Sequence, residues 1–107
     1  MSSLQKILDI QYVKMENEHI ADILEIERDS YGYPWSEKIF LDCITHNYHC
    51  KVLLLDEVLI GYVITSFVQN ECHIMNLCIK KNYRSHGYGK YLLNELHKEI
   101  TNLNCKL

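Results

Sequence analysis

The chain has 107 residues, of which 48% are hydrophobic and 23% charged, the composition of one ordinary globular domain. Its 11 basic and 14 acidic residues give a formal charge of −3, whereas general nucleic-acid binders usually carry a basic excess. The sequence lacks the roughly 18 consecutive apolar residues of a membrane span and the apolar segment of a signal peptide. We therefore expect a single cytoplasmic domain over residues 1–107 with reduced cysteines, and neither nucleic acid nor membrane as a direct partner.

The N-terminal part of the sequence predicts a strand followed by a helix. Residues 8–15 alternate in the manner of a strand, beginning at Leu8 and ending at Met15. Asn17 is a candidate N-cap for a helix that ends near Ser30. The buried side of that helix should contain Ile20, Ile23 and Leu24.

A cluster of helix-breaking residues separates this helix from a second one. Residues 31–35 include Gly32 and Pro34, which favour a turn or loop. Ser36 follows directly and is the expected N-cap of a short second helix. The buried side of the second helix should contain Phe40, Cys43 and Ile44.

The remaining sequence predicts three strands and a long helix. Apolar stretches at residues 49–55, 58–67 and 71–79 are separated by short turns, which indicates antiparallel hairpins. From Gly87 onward apolar residues recur at helical spacing. The buried side of this last helix should contain Tyr88, Leu92, Leu93, Leu96 and Ile100, with Glu95 and Glu99 opposite.

The C-terminal residues complete the predicted topology. Residues 101–104 are expected to form a loop, and residues 105–107 resemble the first residues of a further strand. The order β-α-α-β-β-β-α describes an α/β (α+β) fold with a mostly antiparallel sheet.

The segment between the last predicted strand and the last helix has the features of a phosphate-binding site. The pattern Arg84-x-x-Gly87-x-Gly89 opens the helix, whose N-terminus presents unpaired N–H groups and a partial positive charge. Residues 80–90 contain four basic side chains and no carboxylate, which favours a polyanionic small ligand. A P-loop or a Rossmann fingerprint fits this spacing worse. The alternative is an ordinary strand-to-helix turn with a solvated basic face.

These residues and the element order resemble the GNAT (Gcn5-related) N-acetyltransferases. Residues 84–89, Arg-Ser-His-Gly-Tyr-Gly, are similar to the Arg/Gln-x-x-Gly-x-Gly/Ala motif with which the family binds acetyl-CoA. Residues 25–28, 33–40 and 71–79 resemble the RimI-type ribosomal-protein-alanine N-acetyltransferases. The resemblance covers nearly the whole chain and rests on three separate motifs.

The resemblance implies a set of ligand-binding residues. The backbone of Leu77, Cys78 and Ile79 would pair with the pantetheine arm of acetyl-CoA like an added strand. The motif itself would hold the pyrophosphate, mainly through backbone N–H groups, and comprises Arg84, Ser85, His86, Gly87, Tyr88, Gly89 and Lys90. The loop that helps shape the acceptor groove contains Tyr33, Pro34 and Trp35.

The resemblance assigns no catalytic residue. The family's general base and general acid lie on a strand and a helix that would follow Leu107, so we expect a C-terminally truncated domain that lacks the last strand, helix and hairpin. Glu71 and His73 are weak candidates for a relay base, with a strand-end charge and a face-lining imidazole as the alternatives. Candidate proton donors to sulfur are Tyr33, Tyr83 and Tyr88, each of which also suits a packing role.

Two functions are compatible with this resemblance. The first is acetyl-CoA-dependent transfer of acetyl to an amine, with the N-terminal alanine of a ribosomal protein as the implied acceptor. The second is a truncated, weak or inactive acetyl-CoA-binding module that needs a partner chain, because a sheet that ends at its fourth strand leaves an open edge.

Cysteine and histidine residues at two places suggest zinc as a further alternative. They are Cys43, His46, His49 and Cys50, and further along Cys72, His73 and Cys78. Paired Cys-x-x-Cys knuckles are absent from the sequence, and the predicted elements do not make these side chains converge. We therefore expect neither a metal site nor a nucleophilic cysteine.

Overall fold

The computed structural model describes residues 9–103 and 105. Its strands and helices follow one another in the predicted order. The strands are β1 (Ile10–Lys14), β2 (His49–Leu55), β3 (Val58–Val68) and β4 (Glu71–Ile79), and the helices are α1 (Ile20–Ser30), α2 (Glu37–Thr45) and α3 (Tyr88–Asn102). Short 3₁₀ turns precede α1 (Asn17–His19) and α3 (Lys81–Tyr83). The order β-α-α-β-β-β-α is confirmed. Within the described residues, no helix combines the length and hydropathy needed to cross a bilayer.

The four strands form one antiparallel sheet in the order β1-β2-β3-β4. The β2–β3 turn places Asp56 and Glu57 at φ of 49° and 69°, and the β3–β4 turn places Gln69 and Asn70 at 51° and 67°. Two successive residues with positive φ match the right-handed twist of a two-residue hairpin. The predicted hairpins are therefore confirmed, and β4 forms one edge of the sheet among the described residues.

Helices cover both faces of the sheet. On one face, α1 and α2 bury apolar side chains against β2 and β3, where Ile23, Phe40 and Tyr62 are fully buried. On the other face, α3 contributes Leu92 and Leu96 to a second apolar cluster. The sheet is thus the middle layer of three, and the C-terminal end of β4 lies between the end of α1 and the start of α3.

The start of the first helix differs from the prediction. Asn17 is the first residue of the 3₁₀ turn rather than an N-cap, and Glu16 occupies the cap position. The Glu16 N–H donates to the Nδ1 of His19 at 2.9 Å, and the His19 N–H donates back to the Glu16 carbonyl at 2.9 Å. Of the two donors in this pair, only the His19 N–H is one that a cap at Asn17 would have satisfied. Leu8 lies outside the described residues, so β1 is defined from Ile10.

The third helix is rotated relative to the predicted orientation. Leu93 is 38% exposed, whereas Leu92, Leu96 and Ile100 are buried as expected. Glu99 does not lie on the opposite side, because its carboxylate contacts the Nε2 of His49 at 3.0 Å and the Nζ of Lys51 at 3.5 Å. Contact with these two side chains on β2 places the Glu99 side of α3 against the sheet.

The C-terminal end of α3 also differs from the prediction. Thr101 and Asn102 were expected in a loop but belong to the helix. The Cys105 N–H donates to the Ile100 carbonyl at 3.0 Å, which closes the end of the helix. Asn104 and residues 106–107, where a further strand was expected to begin, lie outside the described residues.

The electrostatic environment of Glu99 predicts a pH-dependent contribution to stability. Burial alone raises the pKa of its carboxyl. The neighbouring Tyr12 hydroxyl and the basic side chains of His49 and Lys51 outweigh burial, and the net result is a lowered pKa. A lowered folded-state pKa contributes stability above the unfolded value of about 4.3, and this stability is lost as the pH falls through the folded value.

We therefore expect the Glu99→Gln substitution to destabilise the protein most at pH 5 and progressively less below about pH 4.3. Urea unfolding of both proteins at pH 3, 4 and 5 measures the difference in the free energy of unfolding. Glu25→Gln, which changes an exposed carboxylate on α1, is the control and should show no such trend. A difference between wild type and Glu99→Gln that stays constant over this range would contradict the assignment.

The carboxylate of Glu27 on α1 is 1% exposed and ties three other segments together. It accepts hydrogen bonds from the Tyr62 hydroxyl on β3 at 2.5 Å and from the Asn76 amide on β4 at 3.0 Å. Its second oxygen accepts the backbone N–H of Trp35 at 2.9 Å. A buried carboxylate is stable only with such partners, so this network fixes the loop after α1 relative to β4.

Replacing Glu27 by Gln should lower the free energy of unfolding by about 1–3 kcal/mol. The new amide NH₂ group would face an N–H or O–H donor that now binds a carboxylate oxygen, and an unsatisfied buried donor costs about that much. Urea titration at neutral pH measures the loss. The same change at exposed Glu25 should cost less than about 0.5 kcal/mol. Equal unfolding midpoints for the two variants would show that the Glu27 network does not hold the loop.

Candidate functional site

The end of β4 presents backbone groups to the open edge of the sheet. In an antiparallel pair, residues alternate between facing the partner strand and facing away from it. The Lys80 N–H donates to the Ile60 carbonyl on β3 at 2.6 Å. With the observed register, Cys78 therefore also faces β3, while Leu77 and Ile79 face the open edge. Of the three backbone positions expected to pair with a ligand, Leu77 and Ile79 are oriented to do so and Cys78 is not.

Side chains already occupy the two carbonyl groups on this edge. The Tyr31 hydroxyl donates to the Leu77 carbonyl at 2.8 Å, and the Nε of Arg84 donates to the Ile79 carbonyl at 2.8 Å. Arg84 also donates from an Nη to the Ser30 hydroxyl at 2.8 Å. The edge of β4 is therefore left with outward N–H groups, which suit a ligand that brings hydrogen-bond acceptors.

A β-bulge shapes the same strand. Asn76 pairs with Ile64 and Ile74 with Thr65, so Met75 is an extra residue with no counterpart on β3. On a regular strand, residues 72 and 78 would share a face. Instead Cys72 packs on the α3 side and Cys78 on the α1 side. The bulge thus turns Asn76 toward Glu27, which is the kind of local reorientation that bulges provide near binding sites.

The start of α3 has the backbone conformation of a phosphate-binding turn. Gly87 is the N-cap of the helix and has φ of 86°, a left-handed conformation that glycine adopts without strain. Ser85 has φ of 66°. Because Gly87 has no side chain, it supplies no capping oxygen, and the first-turn N–H groups at Tyr88, Gly89 and Lys90 are directed at whatever lies beyond the helix.

The basic side chains of this segment have different roles. Arg84 is exposed, but its guanidinium donates hydrogen bonds to the Ile79 carbonyl and the Ser30 hydroxyl. It therefore ties the turn to β4 and to the end of α1. Lys81 and Lys90 are exposed, and Lys80 is half-buried. His86 is exposed and hydrogen-bonds through Nδ1 to the Arg84 carbonyl at 2.7 Å.

The first candidate cavity has a volume of about 400 Å³ and joins the edge of β4 to the start of α3. It is lined by Ser30, Tyr31, Leu77, Cys78, Ile79, Arg84, Ser85 and Gly89. Six of these eight residues are among those predicted to bind the cofactor; Ser30 and Tyr31 are the additions. An added Cβ at Gly89 would meet only the Ile79 Cγ1, at 3.7 Å.

The second candidate cavity has a volume of about 360 Å³ and adjoins the first. It is lined by Glu27, Tyr31, Tyr33, Trp35, Ile74, Met75, Asn76 and Leu77. Of the three residues predicted in the acceptor loop, Tyr33 is 98% exposed and Trp35 is half-buried against Phe40, with ring centroids 5.3 Å apart. Pro34 is exposed and is not part of the lining.

The weak catalytic candidates lie apart from both cavities. The Nε2 of His73 lies 3.3 Å from a carboxylate oxygen of Glu71, and more than half of each side chain is exposed. Neither residue lines the first or the second cavity. Tyr83 and Tyr88 pack against each other and against the cluster under α3. As a base or an acid, all four residues stay untested predictions.

The cysteine and histidine residues that suggested zinc are distributed over different elements. Cys43 and Cys50 are buried in the core, and burial raises the pKa of the Cys50 thiol to about 12. His49 faces Glu99 on the other side of the sheet. Over residues 9–103 and 105, no group of three or more His, Cys, Asp or Glu side chains has a metal-binding arrangement. The cysteines described are free thiols.

Sequence reasoning did not identify Tyr31 or Glu27 as site residues. Tyr31 contacts Leu77 across 46 residues and Glu27 contacts Asn76 across 49, and no local pattern reports contacts at such separations. Burial raises the pKa of the Tyr31 hydroxyl, and the nearby Cys78 and Glu27 add to this effect. Tyr31 thus remains a protonated donor to the Leu77 carbonyl.

Comparison with known proteins agrees with this geometry. The sequence profile of the acetyltransferase (GNAT) family matches residues 20–107. The [ribosomal protein bS18]-alanine N-acetyltransferase of Salmonella typhimurium is 29% identical over 76 residues, which are 71% of this chain and 51% of that protein. The Escherichia coli K12 protein of the same name is 27% identical over 86 residues, 80% of this chain and 58% of that protein. The chain thus spans between half and three-fifths of the length of these relatives.

Solved structures show the same fold. The ribosomal-protein-S18-alanine N-acetyltransferase from Escherichia coli superimposes with a TM-score of 0.79 at 25% identity, over 86% of this chain and 59% of that one. The PaiA N-acetyltransferase from Thermoplasma acidophilum, solved in complex with coenzyme A, has a TM-score of 0.79 at 21% identity, over 88% and 73% of the two chains. With a profile match over most of its length and this fold, the chain belongs to the GNAT acetyltransferase family.

Proposed function

We propose that this chain binds acetyl-CoA in the first cavity and takes part in acetyl transfer to an amine. The observation that carries the proposal is the continuity of that cavity from the outward N–H groups of β4 to the glycine-capped start of α3. An amide-containing arm that ends in a pyrophosphate matches both ends of such a cavity. The solved relative with coenzyme A bound supports the same class of ligand.

Two groups of residues would bind different parts of acetyl-CoA. The outward N–H groups of Leu77 and Ile79 would donate to carbonyl oxygens of the pantetheine arm, as in an added strand. The N–H groups at Tyr88, Gly89 and Lys90, with the helix dipole, would hold the pyrophosphate. Bound acetyl-CoA supplies an activated thioester, and the protein contributes orientation by fixing that thioester at the boundary with the second cavity.

The proposed acceptor is a primary amine, and the N-terminal alanine of a ribosomal protein is the most specific candidate. The Salmonella and Escherichia coli relatives are [ribosomal protein bS18]-alanine N-acetyltransferases, which supports this acceptor. The second cavity is lined in part by the half-buried Trp35, whose aromatic ring suits a cationic chain terminus. The free cysteines agree with a cytoplasmic setting.

A non-catalytic acetyl-CoA-binding module that needs a partner chain is the second candidate function. The observation in its favour is that β4 forms an edge of the sheet among the described residues, and an open edge can pair with another chain. The weak base candidates Glu71 and His73 also lie outside the lining of both cavities. A general base typically contributes about 10²–10⁴-fold to rate, so positioning without a base would still leave slow transfer.

Acetyl-CoA at 100 times its Kd should stabilise the protein by about 2.7 kcal/mol. For a domain of this size, that is a rise in Tm of more than about 10 °C. Gly89→Glu should abolish this rise, because a carboxylate in the first turn of α3 repels the pyrophosphate. The substitution is compatible with folding, since a new Cβ meets only Ile79 at ordinary contact distance and a carboxylate suits a helix N-terminus.

Asn94→Glu is the matched control for that experiment. It adds the same charge to an exposed position of α3 beyond its first turn and should leave the acetyl-CoA-dependent rise in Tm unchanged. If millimolar acetyl-CoA fails to raise the Tm of the wild-type chain, both the transferase and the binding-module proposals are wrong.

Release of free thiol from acetyl-CoA separates the two candidate functions. With a peptide that begins with alanine, a transferase should release one thiol for each peptide acetylated, and the rate should saturate with peptide. Gly89→Glu is the negative control, because it should lose this release together with cofactor binding. A chain that is stabilised by acetyl-CoA but releases no thiol above the peptide-free background would support the binding module instead.

A further inference from the structure

The two cavities meet at one hydrogen-bonded pair. Tyr31 and Leu77 are the residues that line both of them, and the Tyr31 hydroxyl donates to the Leu77 carbonyl at 2.8 Å. If the thioester lies in the first cavity and the amine enters the second, acetyl must pass at this shared wall. Tyr31 is therefore the side chain nearest to the boundary that the two substrates share.

The direction of the Tyr31 hydrogen bond determines what its oxygen offers to a ligand. A phenol has one donor and remaining acceptor lone pairs. Because the proton of Tyr31 is directed at the Leu77 carbonyl, the oxygen keeps acceptor lone pairs, and the Cys78 thiol is the protein group beside them. An acceptor suits the N–H groups of an amine and does not suit the carbonyl oxygen of a thioester.

Two further features hold this oxygen in place. Tyr31 is the C-cap residue of α1, and its backbone N–H donates to the Glu27 carbonyl oxygen at 3.1 Å. The hydroxyl of the preceding residue, Ser30, accepts a hydrogen bond from the guanidinium of Arg84. The residue as a whole is 40% exposed, so a ligand can reach it although both of its neighbouring contacts are fixed.

We propose that Tyr31 is a positioning residue that orients the acceptor amine by accepting one of its N–H groups. The nitrogen lone pair is then directed away from the tyrosine oxygen and toward the neighbouring first cavity. This inference rests on the proposed function, since it requires the cofactor to occupy that cavity. It assigns Tyr31 to the amine and not to binding of acetyl-CoA or to the oxyanion.

Calorimetric titration of the full chain, saturated with coenzyme A, tests this assignment. The probes are a short peptide with N-terminal alanine and the same peptide with a propionyl group in place of the alanine, which removes the amine alone. Wild type should prefer the amine peptide. Tyr31→Phe should weaken the amine peptide about two- to tenfold, the effect of one hydrogen bond between uncharged groups, and leave the propionyl peptide unchanged.

Two variants distinguish positioning from a merely structural role. Tyr31→Trp supplies an N–H that can bond the Leu77 carbonyl but no acceptor lone pair, so it should lose the amine preference as Tyr31→Phe does. Tyr48→Phe makes the same chemical change at a tyrosine of matched exposure, 39%, that lines neither cavity, and should bind both peptides like wild type.

The remaining outcomes separate failure of this inference from failure of the proposed function. Equal weakening of both peptides by Tyr31→Phe, or recovery of the amine preference in Tyr31→Trp, would mean that Tyr31 only shapes the cavity. Unchanged binding of both peptides, or no peptide binding to a wild-type chain that binds coenzyme A, would also overturn the role of Tyr31 alone. A wild-type chain that does not bind coenzyme A would overturn the proposed function and this inference together.

Discussion

The buried carboxylate of Glu27 is the constraint on which the arrangement of both cavities depends. A carboxylate has acceptors only, and burying it without partners costs far more free energy than apolar packing of its side chain offsets. Donors from β3, from β4 and from the loop after α1 must therefore be held around it together. Because they lie 8, 35 and 49 residues away in sequence, one side chain fixes the relative position of segments that local structure leaves independent. The wall of the second cavity is built from Glu27, the loop after α1 and β4.

The bulge in β4 reconciles this polar contact with the apolar core under α3. A regular strand that buries Cys72 against α3 would also direct Asn76 to that side. With Met75 inserted, Asn76 instead reaches Glu27, and Ile79 packs beneath α3 on the same face as Cys72. The irregularity falls where β4 lines the second cavity. The bulge thus allows β4 to make a polar contact on one face of the sheet and apolar contacts on the other.

Elements that depend on neighbouring residues were predictable from the sequence, and contacts across the fold were not. Apolar periodicity located the helices and strands, Ser36 caps α2 as expected, and the glycine spacing identified the start of α3. One error arises from a tertiary contact, because Glu99 turns toward His49, 50 residues away. The other is local, because the pair of Glu16 and His19 caps the first helix in place of Asn17. The family resemblance identified Leu77 and Ile79 but not the orientation of Cys78, because the direction of a backbone group depends on register.

Backbone geometry divides donors and acceptors between the two cavities. Tyr31 and Arg84 occupy the outward carbonyls of β4, so the first cavity offers N–H groups along the strand and at the start of α3. At the boundary, the Tyr31 oxygen offers lone pairs. A ligand rich in carbonyl and phosphate oxygens is therefore favoured on one side of the wall and an N–H donor on the other. This polarity would orient a thioester and an amine toward each other before any proton moves. Orientation is thus built from the residues around Glu27 and β4, and it is separable from proton removal.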